Sequence, residues 1–347
     1  MTADYYGSLA APNIATVVYA GMAFAPWYGS PAYFSRHDHT RLGFGEGASP
    51  SAPAPALPQT ATPTATPPAP KATDPDTNVW LDQLYVCHYC FQYTSKSASL
   101  AAHLSLCDHR ATTEASGGPT VGQMVYWDQK KQLIVRRVRG THNPLFCQNL
   151  ALFGKLFLDD KSVFYNVESF DFYVLWGPPT TDKNTDHLVP LGFFSKEVLS
   201  WDNTNNLACI CVFPPFQRRR LGWLLIEISY AVARCTPGQF LSGPEFPLSP
   251  FGRAAYIRFW SIKLAHYLTT KLGDDASEFD LDSIARATGF RMEDILYTLS
   301  HMRVLETIDN DELELRLGAV TEYCTTNKID PTIDVHVWDP EAFMLTS

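Results

Sequence analysis

The stretch Leu207–Arg234, "LACICVFPPFQRRRLGWLLIEISYAVAR", constrains the fold more than any other. Its first part, "NLACICVF" when Asn206 is included, is a continuous apolar run, as expected of a strand buried on both faces. Its last part reads as a helix with Glu227 as the only charge before Arg234, so it is apolar nearly all round and belongs in an interior. Two consecutive interior elements need a layered core, and 347 residues suffice for two or three units around one. Between them "PPFQRRR" forms a basic loop. Strand, polar loop and buried helix together point backbone N–H groups at an anion, and arginines there add charge-assisted contacts to phosphate. A solvated basic patch is the alternative, and the single glycine, Gly222, leaves both readings open.

The remaining patterns set the class. Strand-like runs fall at "VGQMVYW", "QLIVRRV", "SVFYNV", "DFYVLW" and "LVPLGFFS". Helical patterns fall at "CQNLALFGKLFL", 221–233, 253–271 and in a series after Asp280. Strands dominate the middle and helices the end, which predicts an α+β core followed by a helical module. Residues 49–70 are a Pro/Ala/Thr segment that cannot bury a core and reads as a linker. The expected division is a disordered region with that linker over 1–78, a finger over 79–115, a core over 116–252 and the helical module over 253–347.

The segment "CHYCFQYTSKSASLAAHLSLC" places Cys87, Cys90, His103 and Cys107 at C-x2-C-x12-H-x3-C spacing. A Cys pair two residues apart clamps one metal from a tight turn. His103 and Cys107, four apart, share one face of a helix. The set predicts a closed tetrahedral zinc site, with His109 the runner-up fourth ligand. Four protein ligands leave no open position for catalysis, so the zinc is expected to be structural. The helix over 97–106 carries no Arg, Lys, Asn or Gln to reach base edges. A formal charge of −9 also argues against direct sequence-specific DNA binding. The charge is compatible with a basic substrate such as a lysine-rich tail.

No membrane is expected as a partner, because no apolar stretch reaches the roughly 18–20 residues of a span. The first basic residue is Arg36, so the charged start of a secretory signal is missing. Eight cysteines without a paired framework fit a reducing compartment.

In "SGPEFPLSPFG", Pro244, Pro247 and Pro250 stiffen the backbone on either side of Glu245. A lone acid held this way is a candidate general base, the alternative being a surface carboxylate on a Pro-rich loop.

Together these pieces resemble the MYST family of histone lysine acetyltransferases. The matching elements run in family order over roughly 80–340: the finger, "FCQNLALFGKLFLDDKSVFYNVESFDFYVL", "LGFFSKE", "ACICVFPPFQRRRLG", "GPEFPLSPFG" and "YIRFW". The compact chain is most similar to the short SAS-type (something-about-silencing) branch. The resemblance implies an acetyl-CoA-binding, N-acetyltransferase-like core, flanked by an N-terminal C2HC zinc finger and a C-terminal helix-turn-helix-like module. It makes Glu245 the general base and Cys209 the active-site cysteine, either relaying the acetyl group or shaping the site. It places the pantetheine arm of acetyl-CoA on the backbone of Ile210, Cys211 and Val212. The pyrophosphate falls on Gln217, Arg218, Arg219, Arg220, Leu221, Gly222 and Trp223, with a further contact at Ser249. Lys196 matches a lysine that family members autoacetylate; an ordinary exposed lysine is the alternative. The sequence departs from the family loop by Arg220 where glycine is usual and Trp223 where lysine is usual, and Arg258 replaces a serine that contacts the cofactor.

"DLDSIARATGFRMEDILYTLSHMRVL" reads as two helices joined near Gly289, with Ile284, Ala285, Ile295 and Leu299 inside. Glu293 and Asp294 open its second helix where a DNA reader needs cations or amides. The resemblance thus implies a nuclear enzyme moving acetyl from acetyl-CoA to a histone tail lysine, that of H4, in nucleosomes. Accessory subunits of a SAS-type silencing complex are the expected partners. A catalytically weak scaffold subunit of a chromatin complex is the alternative, motivated by Arg220 and Arg258.

Overall fold

The computed structural model describes residues 9, 11–35, 41–43, 79–110, 118–158, 166–179, 187–198, 204–271, 280–307 and 313–345. The linker reading of 49–70 and most of the run "SVFYNV" lie outside the described residues. The chain forms two compact units. One comprises Met1–Gln123, Arg136–Leu191 and Phe213–Phe216; the other comprises Met124–Val135, Gly192–Val212 and Gln217–Ser347.

In the first unit, β1 (Ile14–Tyr19) and β2 (Met22–Phe24) form a hairpin, and β1 pairs in parallel with β3 (Leu81–Val86). The expectation of disorder over 1–78 is therefore corrected for this stretch. The hairpin turn is Ala20–Gly21, both at positive φ (50° and 77°), the geometry that matches strand twist in a two-residue connection. The sequence signal was the β-branched run "IATVVY" before a glycine, masked by an apolar neighbourhood without clear alternation. Next come β4 (Tyr93–Thr94), α1 (Ser97–Leu106) and α2 (Pro144–Lys155). Phe91, fully buried, meets Phe146 and Phe153 of α2 at ring-centroid distances of 5.6 and 5.7 Å, which docks the finger on this unit's core. Burying such a ring stabilises by roughly 2–3 kcal/mol.

A five-stranded sheet runs in the order β10–β8–β7–β6–β5. Its strands are β5 (Gln123–Asp128), β6 (Leu133–Arg139), β7 (Phe170–Gly177), β8 (Val189–Glu197) and β10 (Cys209–Val212). The apolar run "NLACICVF" splits at Ala208. Beyond it lies β10, antiparallel to β8 with Cys209 opposite Ser195 and Val212 opposite Gly192. Before it, β9 (Asn205–Leu207) pairs in parallel with β11 (Gly243–Pro244). The strand changes partner at one residue.

The second unit also holds α3 (Leu221–Arg234), α4 (Pro250–Lys271), α5 (Leu281–Thr288), α6 (Met292–Met302), a small hairpin of β12 (Leu305–Thr307) and β13 (Leu313–Leu315), and α7 (Leu317–Asn327). Its core runs through α3–α6 around Trp260, fully buried, whose indole N–H donates to the Tyr230 hydroxyl at 2.9 Å. As predicted, Ile284, Ala285, Ile295 and Leu299 are buried, and α5 ends at Gly289 in the left-handed conformation (φ 77°). The class is α+β, with a helical C-terminal part. No described helix is long and apolar enough to cross a membrane.

Candidate active site and metal centre

The metal centre follows from the turn that the Cys pair imposes. Cys87 N–H donates to Gln92 O and Phe91 N–H donates to Cys87 O, at 2.8 and 2.9 Å, with Phe91 at φ 62°. That left-handed residue costs on the order of 1 kcal/mol. Tyr89 N–H donates to Cys87 Sγ at 3.3 Å, a contact that favours a thiolate. The helix α1 delivers His103 and Cys107, and the four ligand atoms all lie within 4.8 Å of one another. Cys87 Sγ stands 4.0 Å from Cys107 Sγ, and Cys90 Sγ 3.2 Å from His103 Nε2. Tetrahedral Zn²⁺ with Zn–S bonds of about 2.3 Å needs ligand separations of about 3.8 Å, so the residues fit zinc. His109, the runner-up, instead faces the Phe146 ring at 5.4 Å.

The candidate active site lies within the second unit. Glu245 follows β11, is half-buried, and its N–H donates to Leu207 O at 2.8 Å. Cys209, two residues beyond Leu207, is 4% exposed, and its N–H donates to Ser195 Oγ at 3.2 Å. Glu245 is thus tied by its backbone to Leu207, and Cys209 opens β10 two residues further on, past the switch at Ala208. Cys211 is buried as well, and burial pushes its thiol well above the usual range. The edge of β10 opposite β8 bears no strand among the described residues.

Past β10, Gln217 Nε2 donates to Val212 O at 2.9 Å and closes the basic loop onto the strand. Arg218 and Arg220 both sit at positive φ, 62° and 60°. Arg220 is the N-cap of α3, and its side chain makes no capping bond. The first helical bond is Leu224 N–H to Arg220 O at 3.1 Å, so the amides of 221–223 precede the ladder at the positive end of the helix. A Cβ on Gly222 would meet only Val212 Cγ2, at 3.9 Å. Packing alone does not demand glycine there. Trp223 turns inward, its ring 5.0 Å from that of Phe259, so only its backbone is placed for an anion.

Ser249 and Lys196 have jobs the sequence did not reveal. Ser249 Oγ accepts from Gly252 N–H at 3.1 Å, and Ser249 O accepts from Arg253 N–H at 2.7 Å, which caps α4 with Pro250 in its first turn. Lys196 is 9% exposed, and its ammonium donates to Gln239 Oε1 and Thr236 Oγ1. It is not an ordinary exposed lysine. Arg258 stands exposed on α4.

Two residues gave no sign of their roles in the sequence. Glu227, the lone acid of α3, is buried and accepts from Val337 N–H and Trp338 N–H at 2.9 and 3.1 Å, which straps the C-terminal segment across the helix. Arg291, preceding α6, is also buried and donates to Pro244 O, one residue before Glu245. No local signal pointed to either pairing, because the partners lie 110 and 47 residues away.

Residues 119–336 match the model of the MOZ/SAS family. The chain belongs to the MOZ/SAS family. It is 34% identical over 315 residues to "Histone acetyltransferase SAS2" of Saccharomyces cerevisiae, covering 90% of this chain and 80% of that protein. It is 36% identical over 223 residues to "Histone acetyltransferase MOF" of Drosophila melanogaster, and 35% identical over 270 residues to "Histone acetyltransferase KAT6B" of Homo sapiens. Those alignments cover 64% and 75% of this chain but 24% and 12% of the relatives. The family match begins after the finger, so the metal centre rests on its own geometry.

Proposed function

We propose that this MOZ/SAS-family protein is an acetyl-CoA-dependent histone lysine acetyltransferase with Glu245 as general base. One observation carries the reading: the switch at Ala208 sets Glu245 beside the start of β10, and the far end of β10 opens into the arginine loop and the N-terminus of α3. A carboxylate and an anion seat are thus joined by one short strand. Bound acetyl-CoA would supply the thioester that donates the acetyl group. Its pyrophosphate would be held by the loop Gln217, Arg218, Arg219, Arg220, Leu221, Gly222 and Trp223. Its pantetheine arm would lie along Ile210, Cys211 and Val212, with Ser249 close to the cofactor.

A lysine ammonium, with an ordinary pKa of about 10.4, must lose a proton before its nitrogen can attack a carbonyl, and Glu245 takes that proton directly or through water. Cys209 lines the site from a buried position, as relay or as wall. Zinc at Cys87, Cys90, His103 and Cys107 fixes the finger and takes no part in the chemistry. Lys196 is the candidate autoacetylation site, where acetylation would remove a buried cation. The finer assignments are a tail lysine of histone H4, action in the nucleus on nucleosomes, and accessory subunits of a SAS-type silencing complex. These extend what the family resemblance implies.

A second reading, a scaffold with little catalysis, draws on Arg220 in the loop and Arg258, exposed on α4. Calorimetric titration of the full chain with acetyl-CoA, followed by acetyl transfer to core histones, separates the two. The enzyme reading expects saturable binding and labelled histone. Undetectable binding at millimolar cofactor, with partner subunits present, would leave the scaffold.

A further inference from the structure

Glu245 has a flexible side chain, so a base there needs a backbone that holds still, and the device that holds it lies in the helical module. Arg291 is 7% exposed and its partner Asp294 is fully buried. Arg291 Nε donates to Asp294 Oδ2 at 2.8 Å and Nη2 donates to Asp294 Oδ1 at 3.2 Å, a two-pronged pair that fixes the plane of the guanidinium. The pair leaves two further donors aimed at the neighbouring strands. Nη2 also donates to Pro244 O at 2.8 Å, and Nη1 donates to Asn205 Oδ1 at 3.1 Å. One cation therefore ties β11 and β9, the two strands whose pairing sets the Glu245 amide on Leu207 O.

The sequence around the contact is shaped to admit it. A Cβ on Gly243 would lie 2.1 Å from Asp294 Oδ2 and 2.6 Å from Arg291 Nε, so only glycine lets the pair reach the strand. Ser242 N–H donates to Gly289 O at 2.9 Å, a second tie from the turn between α5 and α6. On the far side of Glu245, the Arg291 guanidinium stands 5.6 Å from the Phe246 ring. Proline at 244 has no N–H of its own, so the carbonyl is the only main-chain handle at that residue. A helix surface has no need to bury an ion pair, and such pairs stabilise folds poorly. Fixing a geometry is a use that justifies one.

We propose that Arg291, oriented by Asp294 and donating to the carbonyl of Pro244, is the positioning residue for Glu245. The proposal rests on the reading of Glu245 as general base. It gives the helix-turn-helix-like module a catalytic duty in place of nucleic-acid reading: α6 holds the base in register with the strand that leads to the arginine loop.

The test uses the full chain in three variants: Arg291→Gln, Arg291→Lys, and the double variant Arg291→Met with Asp294→Leu. The double variant removes both charges and leaves no buried carboxylate unpaired, Glu293 being exposed, so it is expected to fold even where Arg291→Gln does not. Measured are turnover on core histones, the calorimetric affinity for acetyl-CoA, and amide hydrogen exchange over 242–246. Expected in the double variant is a turnover lower by about 10- to 100-fold, the scale set by small misplacements of a reacting group. Its cofactor affinity stays within about twofold of wild type, and amide protection at Gly243 and Glu245 falls by about tenfold or more, in line with a released strand. Arg291→Lys, which keeps one donor, recovers part of each loss. Unchanged protection over 242–246, or turnover and cofactor affinity falling in parallel, would overturn the proposal. A wild-type chain without acetyl transfer even with partner subunits present would instead refute the reading of Glu245, and the exchange data would still decide whether Arg291 holds the strand.

Discussion

In the loop 217–223 the missing Cβ of Gly222 faces only Val212 Cγ2, at 3.9 Å; in the segment 242–246 the missing Cβ of Gly243 would lie 2.1 Å from Asp294 Oδ2. The second glycine is required by the protein's own packing. The first is not. The segments also differ in how they keep their shape. The loop holds two arginines in left-handed conformations, each costing on the order of 1 kcal/mol, with Arg218 and Arg220 exposed. The segment is buried from Ser242 to Pro244 and tied by a buried guanidinium. A backbone strained and open is suited to a partner that arrives; a backbone clamped from within is suited to a group that must not move. The proposed cofactor seat and general base fall on the side of this contrast that their chemistry needs.

Breaking the clamped side should produce the largest effect. Gly243→Ala forces a methyl into a locked ion pair, and the expected loss is about 2–4 kcal/mol of folding stability. Urea denaturation checks it; a loss under half of that would mean the pair yields easily. On the open side, Gly222→Ala should leave stability unchanged or raise it by up to about 1 kcal/mol, since alanine is the better helix former. The same change should weaken acetyl-CoA binding by about tenfold, about 1.4 kcal/mol, through crowding of the phosphate seat. A variant more stable and poorer at binding would be direct evidence that glycine there answers to a ligand. The smallest effect is expected for Arg220→Gly. Relief of the left-handed strain and the added freedom of the unfolded chain nearly cancel, leaving stability within about 1 kcal/mol of wild type. Loss of an exposed charge-assisted contact should weaken acetyl-CoA binding by about three- to tenfold, with a shallower salt dependence. Tighter binding by this variant would show that Arg220 obstructs the seat.

Local patterns were legible in the sequence. The finger was readable because its four ligands fall within 21 residues and metal geometry restricts their spacing. The buried helix α3 and its basic entry loop were readable because apolar periodicity and the "PPF" break are local. What the sequence hid was tertiary. Asp294 read only as an acid opening α6 where a DNA reader needs a cation or amide, yet it is fully buried against Arg291, and burial pushes its carboxyl up to about 6. Glu227 looked like a stray acid and proved to anchor backbone amides of the C-terminal strap. The hairpin of β1 and β2 went unread because its apolar residues lacked alternation and its pairing partner, β3, lies some sixty residues on, across the linker segment. Charges whose partners are distant in sequence give no periodic signal.

In the proposed mechanism Glu245 removes the lysine proton while the arginine loop holds the cofactor. Transfer of labelled acetyl from acetyl-CoA to core histones by wild type and Glu245→Gln tests it most directly. The variant is expected to turn over about 10²- to 10⁴-fold more slowly, the range for loss of a general base, with calorimetric acetyl-CoA affinity unchanged within about twofold. Equal turnover in the two proteins would contradict it.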